Sequence, residues 1–141
     1  MKRKNWLTLA LCFLMALCLL GCGKQKAEEN LWNSAKYVDD QEFGEGSKTV
    51  VVEVVAQEKS VAFTIHTDEK FLGDALLTHE IIAGEEGPYG LFFEEANGIV
   101  ASYEKDKAYW AFCQDGSYMN VGVDGAEIKD GDHYELVYTA E

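Results

Sequence analysis

The chain has 141 residues, enough for one apolar core and therefore one expected domain. Its 25 acidic residues outnumber 12 basic ones, a formal charge of −13. Such a surface repels nucleic acid and anionic headgroups, which excludes phosphate-bearing polymers as natural partners and favours cations or cationic surfaces.

In chain order, Met1-Lys2-Arg3-Lys4 is followed by an uncharged run from Trp6 to Leu20. A basic start and an apolar run of this length have the layout of a signal peptide, short of the roughly 20 residues a bilayer span needs. Leu19-Leu20-Gly21-Cys22 places a small residue directly before a cysteine. That junction resembles the lipobox of bacterial lipoproteins, although Leu20 is an unusual occupant of its slot. It implies a leader over 1–21, cleavage before Cys22 and a lipid on Cys22, which would hold the protein to the outer face of a cell membrane. Losing Lys2, Arg3 and Lys4 with the leader leaves nine basic residues against 25 acidic, a formal charge of −16. Cys12 and Cys18 would leave too, so Cys22 and Cys113 remain and no internal disulfide is expected.

Residues 22–47 are polar and acidic, with Leu31, Trp32, Tyr37, Val38 and Phe43 as their sizeable apolar groups. So little burial does not offset the entropy of ordering, and the segment reads as a flexible tether from which Trp32 and Tyr37 could dock. From residue 48 a folded domain is expected to run to 141. Thr49–Val55 and Val61–His66 are β-branched and alternating, an opening hairpin turned around Glu58-Lys59. Leu72, Ala75, Leu76 and His79 then fall at helical spacing in the stretch Phe71–Ile82, which Gly84 would close. Asn97-Gly98 links Tyr89–Phe93 to Ile99–Tyr103 as a tight hairpin. Asp115-Gly116 ends the strand Ala108–Cys113, and Asp130-Gly131-Asp132 turns into a last strand, His133–Tyr138. Two strands, a helix and several more strands make an α+β fold of β-grasp type, one helix packed on a mixed sheet with additional hairpin strands.

The series Leu72-Gly73-Asp74-Ala75-Leu76-Leu77, Tyr89-Gly90, Asn97-Gly98, Tyr109-Trp110, Gly122-Val123-Asp124 and Ile128-Lys129-Asp130-Gly131-Asp132 resembles the C-terminal domain of the transcobalamins and intrinsic factor. Bacterial lipoproteins often carry that domain alone, and the likeness spans about residues 48–141. It implies a β-grasp fold and binding of cobalamin or a related corrinoid. The helical barrel that holds the ligand's other face in the transcobalamins has no counterpart in this sequence. The family presents its ligand-facing surface on the strand that matches Tyr109-Trp110 and on the loop after it, although the identity stops at those two residues.

On the alternation of that strand, Trp110 and Phe112 share one face while Tyr109, Ala111 and Cys113 share the other. Either Trp110 and Phe112 form an exposed platform for a planar ligand, extended by Tyr89, Tyr103 and Tyr118, or Trp110 lies in the core. The ligand candidates are thus Trp110, Phe112, Tyr109, Tyr89 and Tyr118. His66, His79 and His133 share no short ligand spacing. His66, His79, Asp130 and Asp132 are weaker candidates for a metal, and Asp124 and Glu127 stand in similar acidic turns that do not follow the calcium-loop spacing. No nucleophile elbow, phosphate loop or Cys-His pairing is visible, and Cys113 reads as a small apolar strand residue. The expectation is a non-enzyme with no required cofactor and a possible corrinoid ligand, serving a vitamin or metal uptake transporter; the alternatives are metal binding and a protein-interaction module.

Overall fold

The computed structural model describes residues 29–141, so the expected leader and Cys22 lie outside the described residues. Nine strands fall into two sheets. The larger has the order β1-β3-β2-β9-β7-β8 and the smaller the order β4-β5-β6. Its centre is the hairpin β2 (Lys48–Ala56) and β3 (Lys59–Thr67), paired along its whole length. The last strand, β9 (His133–Ala140), lies beside β2 and parallel to it. Strand β7 (Ala108–Gln114) pairs antiparallel with β9, and β8 (Ser117–Tyr118) folds back on β7. Among the described residues the fold is α+β, mostly sheet, with two short helices and one mixed sheet.

The opening hairpin forms where its alternation predicts. Val50, Val52 and Val54 of β2 and Phe63 and Ile65 of β3 are fully buried on one face, because every second side chain of a strand points the same way. Helix α1 (Leu72–Thr78) packs on that face through Leu72, Ala75 and Leu76. It is shorter than its periodicity suggests. Glu80 adopts a left-handed φ of 54° and Ile81 N–H donates to Leu76 O, which stops the helix. The β-branched pair Ile81-Ile82 then leads into an unforeseen strand, β4 (Ile82–Gly87). Gly84 does not cap the helix. It sits at a bulge in β4, where a Cβ would collide with the carbonyl of Phe92.

Strand β5 (Gly90–Ala96) pairs with β4 and turns through Asn97-Gly98 into β6 (Ile99–Val100). The turn has the two positive φ values, 50° and 77°, that this dipeptide predicts. The expected strand to Tyr103 stops early, because the Ser102 hydroxyl accepts from Lys105 N–H and starts helix α2 (Tyr103–Asp106).

The expected tether to residue 47 is corrected from Glu29 onward, where the chain lies on the domain. A 3-10 turn at Leu31–Ser34 buries Trp32, whose indole N–H donates to Ala56 O at 2.9 Å. Buried Asn97 accepts from Tyr37 N–H at 3.0 Å and donates to Tyr37 O at 2.8 Å, as a neighbouring strand would. Tyr37 and Phe43 pack edge-on, and β1 (Gln41–Phe43) extends the sheet parallel to β3. A few aromatics, each finding a partner in the core, offset the ordering cost that composition alone left uncovered.

Candidate functional site

Strand directions give the molecule two ends. Glu29 lies at the β2–β3 turn, where Gln57 Nε2 donates to Glu29 O and Leu31 N–H donates to Gln57 Oε1. Because β7 runs against β2 and β9, its C-terminal end and the β7–β8 hairpin lie at the opposite pole. The β4–β5 tip reaches that pole too. Leu91 N–H donates to the Asp124 carboxylate at 3.1 Å, and Asp124 stands in a 3-10 turn, Val123–Gly125, packed on α1. Gly90, with a φ of 106°, is required at this junction, since a Cβ there would strike the Asp124 carboxylate.

Around this clamp three apolar side chains face solvent. Tyr89 is fully exposed at the hairpin tip, Phe92 is 65% exposed, and Val121 projects from the loop that joins β8 to Asp124. Beneath them Met119 N–H donates to Phe112 O at 3.0 Å, and Leu91, Phe93 and Met119 pack on the core. The result is an exposed aromatic tip on a tied base, chemically suited to cover the apolar face of a ligand.

The expected ligand residues divide. Tyr89 belongs to this tip, whereas Tyr118, 73% exposed, is in register with Cys113 and so projects from the opposite face of the sheet. Trp110, placed at the centre of an exposed platform, is corrected to a core residue: it is 8% exposed, its indole N–H donates to Glu94 O at 2.9 Å, and its ring meets Tyr138 edge-on. Phe112, on the same face of β7, is half-buried and stacks on Tyr134, so it does not extend a platform either. Tyr109 is partly exposed on the opposite face of β7. The physical reason is that β5 crosses over the Trp110 face of β7 and supplies the carbonyl its indole needs. Phe92 and Val121 were missed. Consecutive Phe92-Phe93 in a strand was the available signal, since neighbouring residues face opposite sides and one of the two must lie away from the core.

The metal candidates are engaged in other contacts. His66 Nε2 lies 2.6 Å from Glu42 Oε1 and its Nδ1 3.0 Å from Thr49 Oγ1. His79 stacks on Phe43 at a centroid distance of 5.4 Å. Both rings line an open depression of about 420 Å³ with Glu45, Asp68 and Glu69. Asp68 there accepts from both the backbone N–H and the hydroxyl of Ser47, which hold its carboxyl below the ordinary aspartate value. Asp130 accepts from Thr49 N–H, and Asp132 from Lys129 N–H and the Tyr134 hydroxyl. Burial, and then Asp132, push that hydroxyl's pKa well above the usual tyrosine range. Among the described residues no three His, Cys, Asp or Glu side chains converge as a metal site.

Residues 69–140, from just before α1 to the end of β9, match the family described as Domain of unknown function (DUF4430). The chain belongs to this family. Both the aromatic tip and its Asp124 clamp lie within the DUF4430 region, whereas the opening hairpin and the docked segment before it precede that region. A crystal structure of a candidate metal binding protein from Ruminococcus gnavus ATCC 29149 shares 29% sequence identity with this DUF4430 chain, with a TM-score of 0.64 over 67% of this chain and 99% of the other. Haptocorrin in complex with Cbi, cobinamide, shares 20% identity, with a TM-score of 0.51 over 70% of this chain and 26% of its own. The likeness to haptocorrin is one of fold, and this chain spans about a quarter of haptocorrin's length. No curated protein sequence matches the chain.

Proposed function

We propose that this protein is a membrane-anchored, extracytoplasmic lipoprotein, lipidated on Cys22, that binds a small molecule of the corrinoid class and serves an uptake system without catalysing a reaction. The observation that carries the ligand reading is the exposed grouping of Tyr89, Phe92 and Val121 around the Asp124 clamp. It offers aromatic faces to a planar ligand and lies at the pole opposite the point where the chain from Cys22 reaches the domain. The fold supports the reading. An opening hairpin, a helix on one face and a last strand inserted parallel beside the first are compatible with the β-grasp layout that the transcobalamin resemblance implies, and haptocorrin in its cobinamide complex is similar in fold. Anchoring raises the effective concentration of a captured ligand near a transporter in the same membrane.

The test is calorimetric titration of the full chain in neutral detergent micelles with cobinamide and with cobalamin. Saturable binding of either is expected, weakened about tenfold or more by Tyr89→Ala with Phe92→Ala, since one aromatic contact contributes about 1 kcal/mol beyond its buried area. Flat curves for both corrinoids would sink the reading. A response to zinc alone, removed by His66→Ala or His79→Ala, would replace it with ion binding at the depression those two histidines line.

A further inference from the structure

A cleft of about 770 Å³ opens at the pole where the chain from Cys22 reaches the domain. Its place follows from strand directions. Because β2 and β9 run parallel, Gln57, just past β2, and Ala140, the last residue of β9, come to the same end, and both line the cleft. The walls are mostly apolar: Leu31 from the docked 3-10 turn, Ile99 and Val100 from β6, and Tyr138 from β9. Val100 is half exposed, an apolar side chain open to whatever approaches this end.

Two carboxylates from distant parts of the chain line the same walls, Glu29 from the docked segment and Asp106 from the end of α2. Both bear on Tyr138, whose hydroxyl pKa is raised first by burial, then by Asp106 and then by Glu29. Among the described residues the one lysine salt bridge joins Lys36 to Glu80, so no lysine of the fold neutralises these two acids.

We infer that this cleft docks a membrane phospholipid with a primary ammonium headgroup, phosphatidylethanolamine, the ammonium lying against Glu29 and Asp106 and the glycerol end against Leu31, Val100 and Tyr138. The occupant follows from where the chain ends and from charge. Glu29 follows Cys22 closely in the chain, so a lipid on Cys22 turns this pole toward the headgroup layer; that orientation rests on the anchoring proposed above. An acidic body repels anionic headgroups and attracts an ammonium. A primary ammonium brings three N–H donors to the two carboxylates, whereas the trimethylated ammonium of phosphatidylcholine has none. Exposed Lys105 and Lys107 flank Asp106 in the chain, cations suited to the phosphate that lies next to the ammonium. The cleft and the aromatic tip occupy opposite poles, so the inference does not depend on what the tip binds.

The experiment is an amide-resolved NMR titration of the full chain in neutral detergent micelles doped with increasing phosphatidylethanolamine, with phosphatidylcholine and phosphatidylglycerol in parallel. Saturable shifts centred on Leu31, Val100, Asp106 and Tyr138 are expected with phosphatidylethanolamine, at least tenfold weaker binding with phosphatidylcholine, and none with phosphatidylglycerol. Binding should fall about tenfold or more in Asp106→Asn, the scale of one lost charge-assisted hydrogen bond, and remain in Glu85→Gln with Glu86→Gln. Val100→Lys, at an exposed position that leaves both acids in place, should abolish it by setting a fixed cation in the cleft, which separates lost docking from lost folding. A flat titration, equal shifts with either other lipid, or shifts retained in both cleft variants would overturn the inference. So would saturation of the same amides by free ethanolamine or spermidine at lower concentration, which would make this a site for soluble cations. Mass spectrometry of Cys22 tests the anchoring separately: a cysteine without lipid would remove the anchored orientation, while the shifts alone decide whether the cleft takes the headgroup.

Discussion

The two principal hairpins are built from similar strands and end in opposite conditions. In β2–β3 every second residue is sealed against α1 and the opposite strands, from Val50 to Ile65. In β4–β5 only one end is sealed, by Ile82 and Ala96, while the other end carries Glu85, Glu86, Tyr89 and Phe92 into solvent. The first hairpin therefore supplies stability along its whole length. The second grades from an anchored end to an exposed one, held there by the Asp124 carboxylate and by Leu91 and Phe93 on the core. Regions that bind are drawn from the less buried end of a fold, because what is free to meet a ligand is not also packed in the core.

Exchanging like for like should break the symmetry most. Phe63→Ala opens a cavity at a fully buried position and is expected to cost about 3–5 kcal/mol in urea unfolding. Phe92→Ala on the other hairpin should change stability by less than about 0.5 kcal/mol, its effect appearing in ligand binding instead. Equal costs would mean that the β4–β5 tip is part of the core after all. A smaller loss is expected at the sealed end of the second hairpin. Asn97→Ala removes two hydrogen bonds to Tyr37 and leaves alanine at a φ of 50°, about 2–3 kcal/mol together, with faster hydrogen exchange at the Tyr37 amide. Asn97→Gly should recover the backbone part of that loss and leave the exchange fast.

The smallest effect belongs to the loop that enters β2. Because the folded pKa of Asp68 is depressed, its bonds to Ser47 stabilise fully above the ordinary aspartate value of 3.8 and are lost as the pH falls through the lower folded value. The stability difference between the natural chain and Asp68→Asn should accordingly be present at neutral pH and vanish in acid. A difference that persists unchanged below the carboxylate range would show that Asp68 acts by packing.

Alternation made β2, β3, β7 and β9 legible in the sequence, and turn dipeptides placed Asn97-Gly98, Asp115-Gly116 and Gly131 at positive φ. What stayed hidden depended on partners distant along the chain. The helical spacing through His79 gave no sign that Glu80 would turn left-handed and release Ile81-Ile82 into a strand. The face of β7 was open in the sequence because Trp110 could satisfy its indole N–H in water or at the Glu94 carbonyl, and only the crossing of β5 decides between them. Tyr89 was found by residue type alone. That Tyr118 shares its pole but not its face comes from strand directions and register, which residue type does not encode.

The docking of Trp32 and β1 on the sheet also sets a length. Were the chain free to residue 47, the 25 steps from Cys22 would let the domain range about 85–90 Å from its lipid. With Glu29 already held to Gln57, no more than seven steps separate Cys22 from the folded body, a reach of at most about 25 Å. A lipid on Cys22 would thus keep this acidic body close against the headgroups, able to swivel but not to wander, and within reach only of membrane neighbours that come to lie directly beside it.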